Sequence, residues 1–424
     1  MTKDARRVTL PSGVRLIMIP RPEAIATSIM VAVETGSKYE TPAQSGLSHF
    51  LEHMCFKGTT KHPTALSIAA EFDAMGAQNN AFTSQEFTGY YATVEPDQAS
   101  RALSLLAEMY LEPTLPEPEI QKEKGVIVEE INMYEDEPRR NVHNVLMRAV
   151  YGDQPAGRPI LGTIDSVRAM TRQDFVKYRR AHYVASKTIV TIAGKFDPAT
   201  IKRQVAKEFA AVSPGRRQGK EKVKDAQKAP VAQVLKKDSD QTHLALAFRA
   251  LAANHPDYYA AEVLGAILGG GMGSRLWQVV REELGAAYYV GGGHDSYTDH
   301  GLMVFSAGIE SSRLDQVLPA MLGECRRLTS DLVPAEELAR VKQSLVGNLM
   351  LGLERASNLG WHYTASEILT GELVSPQVVA RKLRAVTAEE VRRVARKIFS
   401  PTRLSAAVIG PLSDSKVVER LLTL

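Results

Sequence analysis

This sequence predicts an α+β protein made of two homologous α/β domains. Three observations point there. The chain has 424 residues, more than one ordinary domain holds. Strand-like and helix-like segments alternate along it. A helix, strand and turn that close the first half, "MTRQDFVKYRRAHYVASKTIVTIAGKFD", return at the end of the second as "VTAEEVRRVARKIFSPTRLSAAVIGPLSD". Thr171 matches Thr387, Tyr183 matches Phe399 and Gly194 matches Gly410, each 216 residues further on. Recurrence in one register means one plan used twice.

The elements follow in order. "RLIMIPRPEAIATSIMVAVETGS" reads as two strands. "GLSHFLEHMCFKG", Gly46 to Gly58, is a helix with a glycine near its end, and "TALSIAAEFDAMGAQ" is a second, closing at Gly76. "NNAFTSQEFTGYYATVE" alternates and is rich in Thr, Phe and Tyr, which favours strand. "ASRALSLLAEMYLEP" and "EPEIQKEKGVIVEEINMYEDEP" are helical, the second long and strongly charged. The stretch "SPGRRQGKEKVKDAQKAP" is polar, basic and bounded by prolines, as a linker is. The expected division is residues 1–212, a linker at 213–232, and residues 233–424.

Composition narrows the function classes. With 44% hydrophobic and 24% charged residues the chain can bury large cores. A net charge of +4 is small for this length and gives no sign of a nucleic-acid partner. Cys55 and Cys325 cannot make a disulfide framework and fit a reducing compartment. Cys55, two residues past His53, reads as a small buried hydrophobe rather than a ligand. The N-terminus has no apolar leader segment, and no run of 18 apolar residues occurs, so no membrane span is expected. The expected setting is the cytoplasm, or that of a mature chain already trimmed.

The chemistry concentrates in "HFLEH". On a helix, His49 and His53 stand one turn apart on one face, where two imidazoles can hold one Zn²⁺. Glu52 lies on nearly the same face and can take a proton from an attacking water. This is the H-x-x-E-H arrangement, which chance supplies ~0.02 times in a chain of this length. The pattern alone also fits an exposed helix carrying two solvated histidines. A catalytic zinc wants a third protein ligand. "EKGVIVEEINMYEDE" offers Glu123, Glu129 and Glu130. Glu123 and Glu130 are seven apart and share a helix face, which can supply a ligand and a carboxylate behind it.

On these residues the chain resembles the insulinase (pitrilysin) family of inverted-motif zinc peptidases. It is most similar to the short-chain branch that holds mitochondrial processing peptidase β subunits and bacterial relatives. "HFLEHMCFKGT" matches the family motif, and "VIVEEINMYEDEP" matches the downstream ligand segment, with Glu130 lying 77 residues after His53. "NNAFTSQEFTGYYATV", "GRPILGT" and "GGGMGSRLWQVVREELGAAYYVGG" match as well. The resemblance implies that His49 and His53 bind zinc and that Glu52 activates the water. It makes Glu130, not Glu129, the third ligand, and Glu123 the outer carboxylate that serves catalysis. Arg281 and Tyr288 match a pair that contacts substrate near the scissile bond.

The resemblance also carries expectations about architecture. Each domain is expected to be a mainly antiparallel sheet flanked by helices, and the two together to form half of a clamshell around a chamber. A dimer follows. Because the zinc set and the Arg281/Tyr288 pair are both present, a homodimer is favoured over a pairing with an inactive homologue. Peptides and unfolded segments would be cleaved in the chamber. Two further expectations stand beside this: a non-proteolytic core or scaffold subunit, and a catalytic subunit that needs an inactive partner chain. The second half lacks the zinc set. Aligning Pro116 with Pro334 puts Asn348 opposite Glu130, and "AAEVLGAILGGG" has no histidine. Residues 233–424 are thus an inactive copy that contributes substrate contacts.

Three features are left. "LGGGMGSRL" lacks the Lys and Ser or Thr of a phosphate cradle and reads as a hinge or a close packing site. Asn80 and Ala81, in "NAFT", are expected on an edge strand that pairs with substrate backbone. The other histidines fit no ligand spacing and are taken as surface or structural.

Overall fold

The computed structural model describes residues 5–412 and 414–424; residues 1–4, which open the expected first domain, and residue 413 lie outside them. The chain gathers into two compact units. The first is Met1–Asn132, Arg158–Glu221 and Leu351–Ser375; the second is Met133–Gly157, Lys222–Met350 and Pro376–Leu424.

The first unit is built on a sheet of six strands: β1 (Arg6–Thr9), β2 (Arg15–Pro20), β3 (Thr27–Val33), β4 (Gln78–Thr83), β5 (Thr88–Val94) and β6 (Thr188–Gly194). Their spatial order is β1-β2-β6-β3-β5-β4. Only the β2–β6 pairing is parallel; the rest are antiparallel. The second unit carries β7 (Val231–Lys236), β8 (Gln241–Ala250), β9 (Ala287–Ser296), β10 (Gly301–Glu310) and β11 (Leu404–Gly410), in the order β7-β11-β8-β10-β9. Its one parallel pair is β7–β11. Without β1 the two orders coincide strand for strand.

The sequence repeat is kept in the folded chain. β6 and β11 begin and end 216 residues apart, as do the helices Arg172–His182 and Ala388–Ile398. Thr171 and Thr387 cap those helices in the same way: each backbone N–H donates to the side chain three residues on, Asp174 or Glu390. One backbone donor at each helix entry is thus satisfied locally.

Both sheets are buried on both faces, which explains the nearly unbroken apolar runs of their central strands. In β2, Leu16 and Met18 enter one core while Ile17 and Ile19 enter another. β3 divides likewise, Ile29, Val31 and Val33 against Met30 and Ala32. The front core of the first unit is filled by neighbouring helices, among them Leu47–Met54 and Ala99–Leu111. Its back core is closed by Leu359, Tyr363 and Ile368 of the helix Ala356–Thr370, which belongs to the second half of the sequence. The converse holds in the second unit. Val142, Leu146 and Val150 of the helix Pro138–Tyr151 cover Ala245, Ala247, Ala407 and Ile409.

Each half therefore lends one helix to the other half's sheet, and the compact units depart from the contiguous division expected from sequence. The polar segment at 213–230 has no helix or strand, and one of the chain's passages between the units, after Glu221, falls within it. It is tied down on both sides. Lys220 pairs with Glu86 of the first unit at 3.1 Å, and Val223 N–H donates to Asp299 of the second at 3.0 Å.

Tyr363 is fully buried under the first sheet. Tyr363→Ala should cost about 3–5 kcal/mol, the range for truncating a large buried aromatic. Chemical denaturation measures the loss, and hydrogen exchange should show faster opening in β2, β3 and β6 than in β8 and β10. Equal loosening of both sheets would contradict this assignment of the helix.

Candidate metal centre

The helix Leu47–Met54 buries Leu47, Phe50, Leu51 and Met54, which leaves His49, Glu52 and His53 on its other side. Its start is set by two glycines. Gly46 has φ +93°, and a Cβ there would meet the Leu161 carbonyl oxygen at 2.4 Å; Gly162 has φ +78°, and a Cβ there would meet the Ser45 oxygen at 2.3 Å. Only glycine fits either place. The close approach docks the "GRPILGT" segment against the helix entry. Glu40, buried, accepts from Gly46 N–H at 2.8 Å and Ser48 N–H at 2.6 Å, satisfying donors that the first turn leaves open.

The helix Glu117–Asp136 supplies the carboxylates. His49 Nε2 and His53 Nε2 stand 3.6 and 3.7 Å from Glu130 Oε2, and the three ligand atoms all lie within 4.8 Å of one another. Gaps of 3.6 and 3.7 Å are long for hydrogen bonds. They are close to ~3.4 Å, the edge of a tetrahedron with bonds of about 2.1 Å. Two imidazoles and one carboxylate are also a donor set that zinc accepts. The residues thus fit the metal that the resemblance implies. Glu129 is exposed and outside the cluster.

Glu123, buried on the same helix, accepts from His53 Nδ1 at 2.9 Å and pairs with Lys57 Nζ at 2.6 Å. That bond puts the proton on Nδ1 and turns the Nε2 lone pair toward Glu130. The ionisation states follow from these contacts. Burial, and then the charge of His53, push His49 down to about 3, so it stays neutral. Burial acts the same way on His53, but the hydrogen bond and charge of Glu123, with Glu52 and Glu130, outweigh it and hold His53 above its ordinary value. Burial works to raise Glu123, yet its bonds to His53 and Lys57 hold it below the usual carboxylate value. Burial raises Glu130, partly offset by His53.

Glu52 lies beside the cluster. Thr83 Oγ1 donates to its Oε2 at 2.5 Å. Burial raises Glu52 above the ordinary value against the pull of that bond, which suits a group that takes up and returns a proton.

Asn80 and Ala81 lie on β4, which pairs only with β5 and forms one edge of its sheet. Ala81 N–H is held by Asn80 Oδ1 at 2.8 Å. In the second unit, Arg281 and Tyr288 lie together. Arg281 sits on a π-helical segment, Trp277–Glu283, and donates through Nη1 to the Tyr288 carbonyl. Its guanidinium lies 4.5 Å from the Trp277 ring centre and 5.9 Å from that of Tyr288, and the Tyr288 side chain is exposed.

Sequence reasoning passed over Thr83, Lys57 and Glu40. Lys57 follows His53 at helical spacing, a signal that was present. Thr83 ends the "NAFT" stretch but carries no spacing that links it to Glu52. Glu40 gives no local sign, because only the folded loop brings it back to the helix start. Cys55 is buried and outside the cluster, as expected.

The chain as a whole is similar to known proteins. Residues 15–164 match a family model described as "Insulinase (Peptidase family M16)", and residues 169–345 match one described as "Peptidase M16 inactive domain". An uncharacterized zinc protease of Bacillus subtilis is 37% identical over 407 residues, 96% of this chain and 98% of that protein. An uncharacterized zinc protease of Streptomyces coelicolor is 35% identical over 420 residues, covering 97% of this chain and 90% of the other. Among solved structures, a protease from Helicobacter pylori matches with a TM-score of 0.89 at 21% identity, over 96% of this chain and 99% of that one. A peptidase M16 inactive domain from Pseudomonas fluorescens matches with a TM-score of 0.89 at 20% identity, over 97% and 99%.

Glu40 gives a pH test of the helix entry. Burial pushes its carboxyl from 4.5 up to about 7, against the backbone donors that favour the charged form. Between those values the folded chain keeps a proton that the unfolded chain releases. Its contribution to stability is therefore full below pH 4.5 and is lost as the pH rises through about 7. The Tm of Glu40→Gln, measured in chelator, should fall less than that of the parent between pH 5 and pH 8. Equal falls would contradict the burial of a neutral Glu40.

Proposed function

Because this chain belongs to the insulinase (M16) family of peptidases, we propose that it is a zinc-dependent endopeptidase whose ligands are His49, His53 and Glu130. The observation that carries this is the convergence of those three side chains with Glu52 beside them and Glu123 behind His53. Zinc held there supplies a Lewis acid for the scissile carbonyl and the attacking water. The chain's own groups do the rest. Glu52 takes the water's proton and passes it to the leaving amine. Glu123 fixes the tautomer and orientation of His53.

Asn80 and Ala81 offer the open edge of β4 to an extended substrate, where main-chain pairing tolerates many sequences. Arg281 and Tyr288 donate hydrogen bonds to the carbonyl or the developing oxyanion. Substrates are peptides and unfolded segments, taken into an enclosed chamber completed by a second copy of the chain. A complete ligand set argues against a scaffold role. The two cysteines are buried and unpaired, as a reducing, cytoplasmic setting allows. No helix of the described residues is long and apolar enough to cross a membrane.

The test is peptide cleavage by the purified chain, with zinc content and size measured on the same sample. Cleavage should elute at the dimer position and stop on chelation. Glu52→Gln should keep about one zinc per chain and lose cleavage, by about 100-fold or more, since general-base catalysis supplies roughly that much. Near-parental cleavage by Glu52→Gln would overturn the mechanism. Activity only after adding a second, different chain would point to an obligate partner.

A further inference from the structure

β4 carries a side chain that hydrogen-bonds to the catalytic carboxylate. Thr83 Oγ1 is 2.5 Å from Glu52 Oε2, while its next nearest acceptor, the Ser48 carbonyl, is 3.5 Å away. A hydroxyl has one proton to give, and the shorter bond takes it. Among the described residues, Thr83 is the only hydrogen-bond donor to Glu52, and Glu52 Oε1 accepts none. One carboxylate oxygen is clamped and the other is left open. The clamp is stiff at both ends. Thr83 is β-branched, which restricts its rotamer, and it pairs with Thr88 at the last register position of β4 and β5. Glu52 is carried by a helix whose opposite side is packed into the front core.

We propose that Thr83 is the positioning residue for Glu52, aiming its free Oε1 at the attacking water, and that β4 thereby aligns substrate and base together. The proposal rests on the peptidase function above. Asn80 and Ala81 lie three and two residues before Thr83 on the same strand. A peptide laid along that edge is registered against the strand that also fixes the base. Removing the hydroxyl lets the carboxylate turn about its side-chain torsions. Misplacing a reacting group by about 1 Å costs on the order of 100-fold in rate.

The experiment compares Thr83→Val, Thr83→Ser and Glu52→Gln, with kcat, KM, zinc content and Tm measured for each. Peptide affinity is measured in the Glu52→Gln background with and without Thr83→Val. Thr83→Val should lower kcat by about 10- to 100-fold, with KM within about twofold and zinc unchanged. Thr83→Ser, which keeps the hydroxyl, should recover most of kcat. Adding Thr83→Val to Glu52→Gln should change neither peptide affinity nor residual cleavage, since the group it positions is already gone. Parental kcat in Thr83→Val, with Glu52→Gln inactive, overturns the positioning role and leaves the peptidase function standing. Loss of zinc or Tm in Thr83→Val without rescue by serine makes Thr83 structural and overturns it too. If Glu52→Gln itself cleaves normally, the failure lies in the peptidase mechanism.

Discussion

The hydrogen bond from His53 Nδ1 to buried Glu123 is the contact on which the site depends. It joins two helices that are far apart in sequence and sets their register. Seven residues along the helix, about 10.5 Å, bring Glu130 to the two Nε2 atoms. The same bond decides which nitrogen of His53 carries the proton, and hence which is free to bind. Lys57 balances the second oxygen of Glu123, so that a carboxylate with little access to water stays charged. A buried carboxylate without such partners would take up a proton and give up its hold on the imidazole.

That register needs a rigid support, and the sheets provide it by being covered twice. The front helices come from the neighbouring sequence, whereas the back helices are exchanged between halves. Ala356–Thr370 closes the first sheet, and Pro138–Tyr151 closes the second. The exchange makes neither half complete alone. Arg15 spans the arrangement in the first unit, pairing with Glu34 of its own half and with buried Glu367 on the borrowed helix.

Much of this was legible in the sequence, for physical reasons that differ by residue. The 216-residue repeat was visible because capping threonines and strand-ending glycines are held by local backbone geometry. His49, Glu52 and His53 were visible because a helix turns spacing into proximity. On a second helix the same rule paired Glu123 with Glu130, while the family resemblance, not spacing, chose Glu130 over Glu129 and assigned the two roles. The exchange of helices was not legible: the stripe of Val142, Leu146 and Val150 says that a face is buried but not against what. Glu40 and Thr83 escaped because their partners are chosen by tertiary packing rather than by spacing. The two halves keep one topology and differ in chemistry, with Asn348 where the matching helix of the first half carries Glu130.

The most direct test of the central claim, that His49, His53 and Glu130 form one three-ligand zinc site, is X-ray absorption at the zinc edge on the metal-loaded protein. The account predicts nitrogen and oxygen neighbours at about 2.0–2.2 Å, an imidazole pattern from two histidines, and no sulfur. In Glu130→Gln the site should change or empty, and in Glu129→Gln the spectrum should be unaltered. A sulfur neighbour at about 2.3 Å, or a spectrum that responds to Glu129 and not to Glu130, would contradict it.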